Sequence, residues 1–190
     1  AIFLSGDGGW ANFDRQVAER LAARGTPVVG LSTLRYLWQE RGPAEIARNM
    51  ARIHAHFAPR LGRARVLLIG FSLGANVTPF YAPLLPPEML ARVAGLALLS
   101  PETATGFEIV IGGWLGRATG AADVGAAIRA AAGLRPLCLY GLDDRASACP
   151  AAAGGHVAVQ GVAGGHHLGA DYDRIAALIL DLAAPALMLR

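Results

Sequence analysis

Arg65-Val66-Leu67-Leu68-Ile69-Gly70-Phe71-Ser72-Leu73-Gly74 decides how this chain is read. An apolar run of strand character leads straight into Gly-x-Ser-x-Gly, the pattern of a nucleophile elbow. In such an elbow the serine takes a strained backbone conformation. Small residues two before and two after it let the strand and the next helix come close. The hydroxyl of Ser72 is then expected at the carboxyl end of a sheet, exposed to whatever lies there.

Working outward, strand-like runs alternate with helix-like stretches. The runs are Ile2–Ser5, Pro27–Leu31, Arg65–Ile69, Ala94–Ser100, Pro136–Tyr140 and Val157–Val162. Short continuous apolar runs suit strands covered on both faces, as in a parallel sheet. Between them Phe13, Val17 and Leu21 recur at helical spacing until Gly25 and Pro27 stop the helix. Pro43 fits a first helical turn, Ile46, Met50, Ile53 and Phe57 line one face, and Pro59 is expected to end that helix. Asp171 can cap a last helix that buries Ile175, Leu178, Ile179 and Leu182. Pro79 predicts a short or kinked helix after Ser72. The segment Pro101–Leu134 is long for a crossover and is read as a crossover plus a small lid over the strand ends. The expectation is one α/β domain over residues 1–190, with a mostly parallel sheet of about six strands, helices on both faces and a lid-like insertion at 101–134.

Composition narrows the class. A chain of 190 residues, 54% hydrophobic and 16% charged, can build one sizeable core and is not of the disordered type. No apolar run approaches the ~18 residues of a membrane-crossing helix. No signal peptide is legible; the chain opens in mid-strand at Ala1-Ile2-Phe3-Leu4 and reads as a trimmed domain. All 17 basic residues are Arg, and the net charge is +3. No basic run interleaved with aromatics points to nucleic acid, while weak attraction to an anionic membrane surface stays open. Cys138 and Cys149 flank a short loop and could be a disulfide or two buried thiols.

A serine hydroxyl needs a base to take its proton, and the base is usually a His oriented by a carboxylate. Behind an elbow of this kind the acid follows the serine and the His comes last. After Pro136–Tyr140 comes Gly141-Leu142-Asp143-Asp144, with Asp144 the first choice for the acid and Asp143 the reserve. After the last strand comes Gly164-Gly165-His166-His167-Leu168. A His followed by an apolar residue favours His167 as the base, leaving His166 as the reserve, a neighbour or substrate contact. Two amides are needed for the oxyanion of a tetrahedral intermediate. Leu73 supplies one, and the Gly-rich loop Ser5-Gly6-Asp7-Gly8-Gly9-Trp10, through Asp7 or Gly8, supplies the other. That loop lacks the Gly-x-Gly-x-x-Gly of a dinucleotide site. His54 and His56 lie two apart on a helix and diverge, so no metal site is read there, and no cofactor is expected.

Taken together, the blocks Ser5-Gly6-Asp7-Gly8-Gly9-Trp10, Leu34-Arg35-Tyr36-Leu37-Trp38, Gly70 to Phe80, Gly113-Trp114-Leu115-Gly116, Cys138-Leu139-Tyr140-Gly141 with Cys149-Pro150, and Gly164-Gly165-His166-His167 resemble the VirJ/AcvB family of bacterial virulence-associated proteins. The resemblance implies a periplasmic α/β-hydrolase-like fold with a Ser–acid–His triad that hydrolyses aminoacyl-phosphatidylglycerol at a membrane surface, with links in some members to type IV secretion. It implies Ser72 as nucleophile, Asp144 as acid, His167 as base and a Cys138–Cys149 disulfide that staples the acid loop. Tyr36, Trp38 and Trp114 are the expected contacts to the lipid head group. Where the family pattern has an Asp four residues after the serine, this chain has Asn76. That puts in question any grip by that carboxylate on a cationic aminoacyl group.

Overall fold

The computed structural model describes residues 1–109 and 122–187, with side chains up to residue 183. In chain order the elements are β1 (Ile2–Leu4), α1 (Asn12–Ala23), β2 (Val29–Leu31), α2 (Thr33–Tyr36), α3 (Pro43–Leu61), β3 (Val66–Phe71), α4 (Leu73–Tyr81), α5 (Pro87–Leu90), β4 (Val93–Leu99), β5 (Ala104–Thr105), β6 (Ala122–Asp123), α6 (Val124–Ala130), β7 (Pro136–Gly141), α7 (Cys149–Ala152), β8 (Ala158–Val162) and α8 (Tyr172–Leu187). Six strands, one for each apolar run, form a parallel sheet in the order β2-β1-β3-β4-β7-β8.

The pleat sorts the strand side chains into two cores. Ile2, Leu4, Leu68, Leu96, Leu98 and Cys138 face one side, where Ile46 and Met50 of α3, Val77 and Tyr81 of α4 and Ile128 of α6 cover them. Phe3, Leu67, Ile69, Ala97, Leu99 and Leu139 face the other, under Phe13, Val17 and Leu21 of α1 and Ile175, Ala176 and Ile179 of α8. A strand period of two read against helix stripes of period 3.6 is what makes both layers possible from short apolar runs.

Helix limits follow local chemistry. Pro43 opens α3, and Gly62 closes it with φ +61°, three residues past Pro59. The expectation that Pro59 ends the helix is therefore corrected: Pro59 lies in the last turn, and the left-handed Gly62 is the stop. Helix α4 is short, with Pro79 near its end, as expected. Asp171 Oδ1 accepts the Arg174 amide at 3.1 Å and caps α8.

The long stretch 101–134 supplies the crossover helix α6, preceded by the antiparallel β5–β6 pair. The central part of the expected lid falls on residues 110–121, outside the described residues, as does Trp114. Cys138 and Cys149 form a disulfide that ties the middle of β7 to the start of α7, eleven residues on. Among the described residues no helix is long and apolar enough to cross a membrane.

Candidate active site

The chain leaves β1 toward β2 on one side and returns through α3 to β3 on the other. The carboxyl ends of β1 and β3 therefore flank a topological switch point, where open α/β sheets hold ligands. Leu4 pairs with Gly70, so the loop after β1 emerges beside the turn that carries Ser72.

Ser72 has φ +51° and ψ −117°, a strained conformation for a residue with a Cβ. The flanking glycines explain how the turn closes. A Cβ on Gly70 would collide with the backbone of Gly74 and Ala75, and one on Gly74 with the carbonyls of Leu4 and Ser5. With both side chains absent, the Gly74 amide donates to the Ser5 carbonyl at 3.1 Å and Ser72 N–H to the Leu99 carbonyl at 2.9 Å. The elbow is thus bound to the ends of β1 and β4.

The Ser72 hydroxyl lies 3.0 Å from His166 Nε2, and His166 Nδ1 lies 2.8 Å from Asp144 Oδ2. Three side chains from turns after β3, β7 and β8 make one hydrogen-bonded line. Its Asp end is sheltered, with 9% of the side chain exposed, and its His is one-third exposed. The acid loop and the His loop are bound to each other: Asp143 N–H donates to the Gly164 carbonyl at 3.0 Å and Leu142 N–H to the Val162 carbonyl at 2.8 Å. Gly141 permits this, since a Cβ there would run into the carbonyls of Gly164 and Gly165. Asp144 Oδ1 takes the Ala146 amide at 3.2 Å, which leaves Oδ2 for the imidazole.

His167 is not beside Ser72, contrary to the expectation from sequence. Leu168 N–H donates to the Gly165 carbonyl at 2.9 Å, so His166 and His167 are the two central residues of a tight turn. His167 has φ −92° and ψ 19°, the third position of a type I turn. Adjacent central residues of such a turn point apart. His166 meets the serine, while His167 is exposed and lies over Phe71, 5.5 Å between ring centroids, with its edge toward Phe13. The apolar Leu168 is anchored in the core and fixes the turn without choosing between the two rings. The reserve acid Asp143 is exposed and contributes its backbone amide alone to this network.

Gly6 and Gly9 close the loop after β1, with Gly9 N–H donating to the Gly6 carbonyl at 3.1 Å. Asp7 and Gly8 are its exposed tip. In a trans peptide the Asp7 N–H points opposite to the Gly6 C=O, hence away from Gly9. Among the described residues the amides of Asp7, Gly8 and Leu73 have no intramolecular acceptor. Thr33 locks the loop to the end of β2: its amide donates to Ser5 Oγ at 3.0 Å and its hydroxyl to the Ser5 carbonyl at 2.7 Å. Asp14, in the first turn of α1 and 1% exposed, accepts the Ala11 amide at 2.9 Å and caps that helix.

Of the expected head-group aromatics, Tyr36 and Trp38 lie among the described residues. The Tyr36 hydroxyl accepts from Asn49 Nδ2 at 2.8 Å, and its ring lies under the Arg41 guanidinium. Burial pushes the Tyr36 hydroxyl above its ordinary pKa, with Asn49 and Arg41 pulling the other way. Trp38 is 54% exposed and borders a shallow pocket of about 360 Å³ with Leu34, Arg35, Gln39 and Arg41. Asn76 gives its carbonyl oxygen to the Glu102 amide at 2.8 Å. His54 faces the Ala64 carbonyl while His56 meets Phe57 edge-on, and among the described residues no cluster of three His, Cys, Asp or Glu is placed to hold a metal.

Residues 1–186 match the family model of the bacterial virulence protein VirJ. The chain belongs to the VirJ family. No curated protein matches its sequence. Among solved structures, it resembles Est1E from Butyrivibrio proteoclasticus, with TM-score 0.66 and 15% identity over 96% of this chain and 87% of that one. It also resembles naproxen esterase from Bacillus subtilis, with TM-score 0.60 and 14% identity over 97% and 82%. A protein from Xanthomonas campestris pv. campestris described as a hydrolase of the alpha/beta superfamily gives TM-score 0.57 and 18% identity over 97% of both chains. These likenesses make the fold of this VirJ-family chain that of an α/β-hydrolase.

Proposed function

We propose that this chain is a serine hydrolase of carboxylic esters that works through an acyl-enzyme, with aminoacyl-phosphatidylglycerol as its substrate and the periplasm as its compartment. The observation that carries the reading is the unbroken line Ser72–His166–Asp144. His166 takes the place first given to His167. Ser72 Oγ attacks the ester carbonyl between the amino acid and the glycerol head group as His166 Nε2 accepts its proton. Asp144 holds the Nδ1 proton and stabilises the imidazolium. The Leu73 and Asp7 amides receive the oxyanion. His166 then protonates the departing glycerol oxygen. Water, deprotonated by the same imidazole, cleaves the acyl-serine, which frees the amino acid and restores the hydroxyl.

The lipid substrate rests on the family resemblance; the disulfide supports an oxidising compartment. A second reading, a hydrolase of simple carboxylic esters, has its own support. Asn76 stands where a carboxylate was expected and its oxygen accepts the Glu102 amide, so the charge expected of that position for gripping a cationic aminoacyl group is missing. A third, a binding module of a secretion apparatus with an idle triad, is separated by chemistry alone.

The test is incubation of the purified protein with lysyl- and alanyl-phosphatidylglycerol in mixed micelles beside p-nitrophenyl esters, scored by released amino acid and nitrophenol. Release from the lipids is expected, and release from the simple esters alone moves the assignment to the second reading. A fluorophosphonate probe is expected to label the wild type and to miss Ser72→Ala. Labelling that survives the substitution removes Ser72 from its role.

A further inference from the structure

Ser5, the residue after β1, is fully buried, and each of its polar groups is engaged. Its amide donates to the Leu31 carbonyl at 3.0 Å. Its carbonyl accepts the Gly74 amide at 3.1 Å and the Thr33 hydroxyl at 2.7 Å. Its own hydroxyl accepts the Thr33 amide at 3.0 Å and donates to the Gly6 carbonyl at 3.0 Å. A buried hydroxyl keeps its place only where it is bonded. The bond to Thr33 ties β1 to β2. The bond to Gly6 runs forward into the loop beside the nucleophile, and the fold of the sheet has no need of it.

That second bond acts on one peptide plane. The Gly6 carbonyl receives two donors, the Ser5 hydroxyl at 3.0 Å and the Gly9 amide at 3.1 Å. In a trans peptide the N–H lies opposite the C=O, so whatever holds the Gly6 oxygen also aims the Asp7 N–H. The plane needs holding. Gly6 has no side chain to resist its rotation, and Asp7 and Gly8 are the exposed tip of the loop. A half-turn of the plane would replace the N–H with a carbonyl oxygen, and a developing oxyanion would then meet a partial negative charge. This happens close to the nucleophile: a Cβ built on Gly6 would stand 3.5 Å from the Ser72 Cβ.

We propose that Ser5 is a positioning residue for acyl transfer: the relay from the Thr33 amide through the Ser5 hydroxyl to the Gly6 carbonyl locks the Gly6–Asp7 peptide in the orientation that offers the Asp7 N–H to the oxyanion. The inference rests on the serine-hydrolase reading given above. Ser5 touches no reacting atom. Its carbonyl meanwhile binds the Gly74 amide, next in the chain to Leu73, so the same residue sets the loop donor against the elbow donor. Two donors fixed before the reaction begins cost nothing to arrange as charge develops.

Ser5→Ala tests this, because it removes the hydroxyl and leaves the backbone bonds of Ser5 in place. With enzyme concentration set by active-site titration with a fluorophosphonate, kcat on a p-nitrophenyl ester is expected to fall about tenfold to a hundredfold, part of what losing an oxyanion donor outright costs. KM is expected to change less than about threefold, since ground-state binding is not addressed. Inhibition by a trifluoromethyl ketone, which forms a tetrahedral adduct on the serine, is expected to weaken by the same factor as kcat/KM. Ser5→Thr, which keeps the hydroxyl, is expected to hold kcat within about threefold of wild type. The thermal midpoint of Ser5→Ala is expected to fall as well, because the Thr33 amide loses its acceptor, and titration removes that effect from kcat. If Ser5→Ala does not fold, Ser5→Cys carries the test: its thiol is a weaker donor of similar size, and the same fall in kcat and in ketone affinity is expected, to a smaller degree. A role confined to joining β1 and β2 predicts a lower midpoint with kcat per titrated site intact. That result, a ketone constant that does not move, or a Ser5→Thr as slow as Ser5→Ala overturns the proposal while the hydrolase reading stands. A wild-type protein that neither turns over esters nor takes the probe brings down the reading and this inference with it.

Discussion

Two adjacent imidazoles, His166 and His167, differ in what a single turn lets them reach. His166 Nε2 is 3.0 Å from Ser72 Oγ, and His167 is exposed above Phe71. His166→Ala is expected to lower kcat by about 10⁴–10⁶, leaving what the oxyanion amides and binding supply alone. His167→Ala is expected to stay within about tenfold of wild type, since it removes an aromatic neighbour and no proton carrier. Steady-state kinetics of both variants on one ester decide it, and the reverse order would exchange their roles. This choice was not legible in the sequence. Both residues follow the same glycine pair, and the distinction lies in their being successive corners of one turn, which depends on the Leu168 amide finding Gly165. The serine was legible because its local pattern, a strand entering Gly-x-Ser-x-Gly, carries its own geometry.

Among the elements, β7 and α7 show how one covalent link serves the site. The Cys138–Cys149 bond spans the segment that carries Asp144, whose carboxylate must stay at 2.8 Å from His166. Closing a loop of eleven residues removes unfolded-state entropy worth about 3 kcal/mol in the chain-entropy account. The double variant Cys138→Ala/Cys149→Ala is expected to lose about that much stability in urea unfolding. It is also expected to lose kcat as the acid loop loosens, with Ser72 still taking the fluorophosphonate slowly. Unchanged activity in a destabilised variant would confine the bond to stability. At this scale the strands were readable from their apolar runs, because a sheet covered on both faces demands them. Helix ends were less so: Pro59 is tolerated in the last turn of α3, and the stop is made by Gly62 in a left-handed conformation. The segment 101–134 was read as carrying a crossover, and α6 is that helix, its Asp123 cap accepting the Ala126 amide.

For the whole molecule, the first and last helices close one face of the sheet together, and their contact has a pH signature. Arg20 Nε of α1 and Arg24 Nη2 just past its end meet the two carboxylate oxygens of Asp173 on α8 at 3.1 and 2.7 Å, and Arg20 also lies over the Tyr172 ring. The bonds from Arg24 and Arg20 hold the Asp173 carboxyl below its ordinary value of 3.8. A carboxyl depressed in the folded state adds stability above its unfolded pKa and loses it as pH falls through the folded one. The clasp is therefore fully present at neutral pH and fades below about pH 4. Because Asp173 is fully exposed, salt and water screen the pair, so Asp173→Asn is expected to lower the thermal midpoint by no more than about 2 °C at neutral pH and low salt. The difference between wild type and variant is expected to shrink toward zero as pH is lowered to about 3, and again on adding about 1 M salt at pH 7. Asp14 has the opposite sign, with its carboxyl raised by burial, so its ionisation works against the fold as pH rises. A midpoint difference for Asp173→Asn that persists unchanged through acid pH and high salt would mean that the apolar stripe of α8 against α1 and β4, and not the charged clasp, is what joins the two ends of the chain.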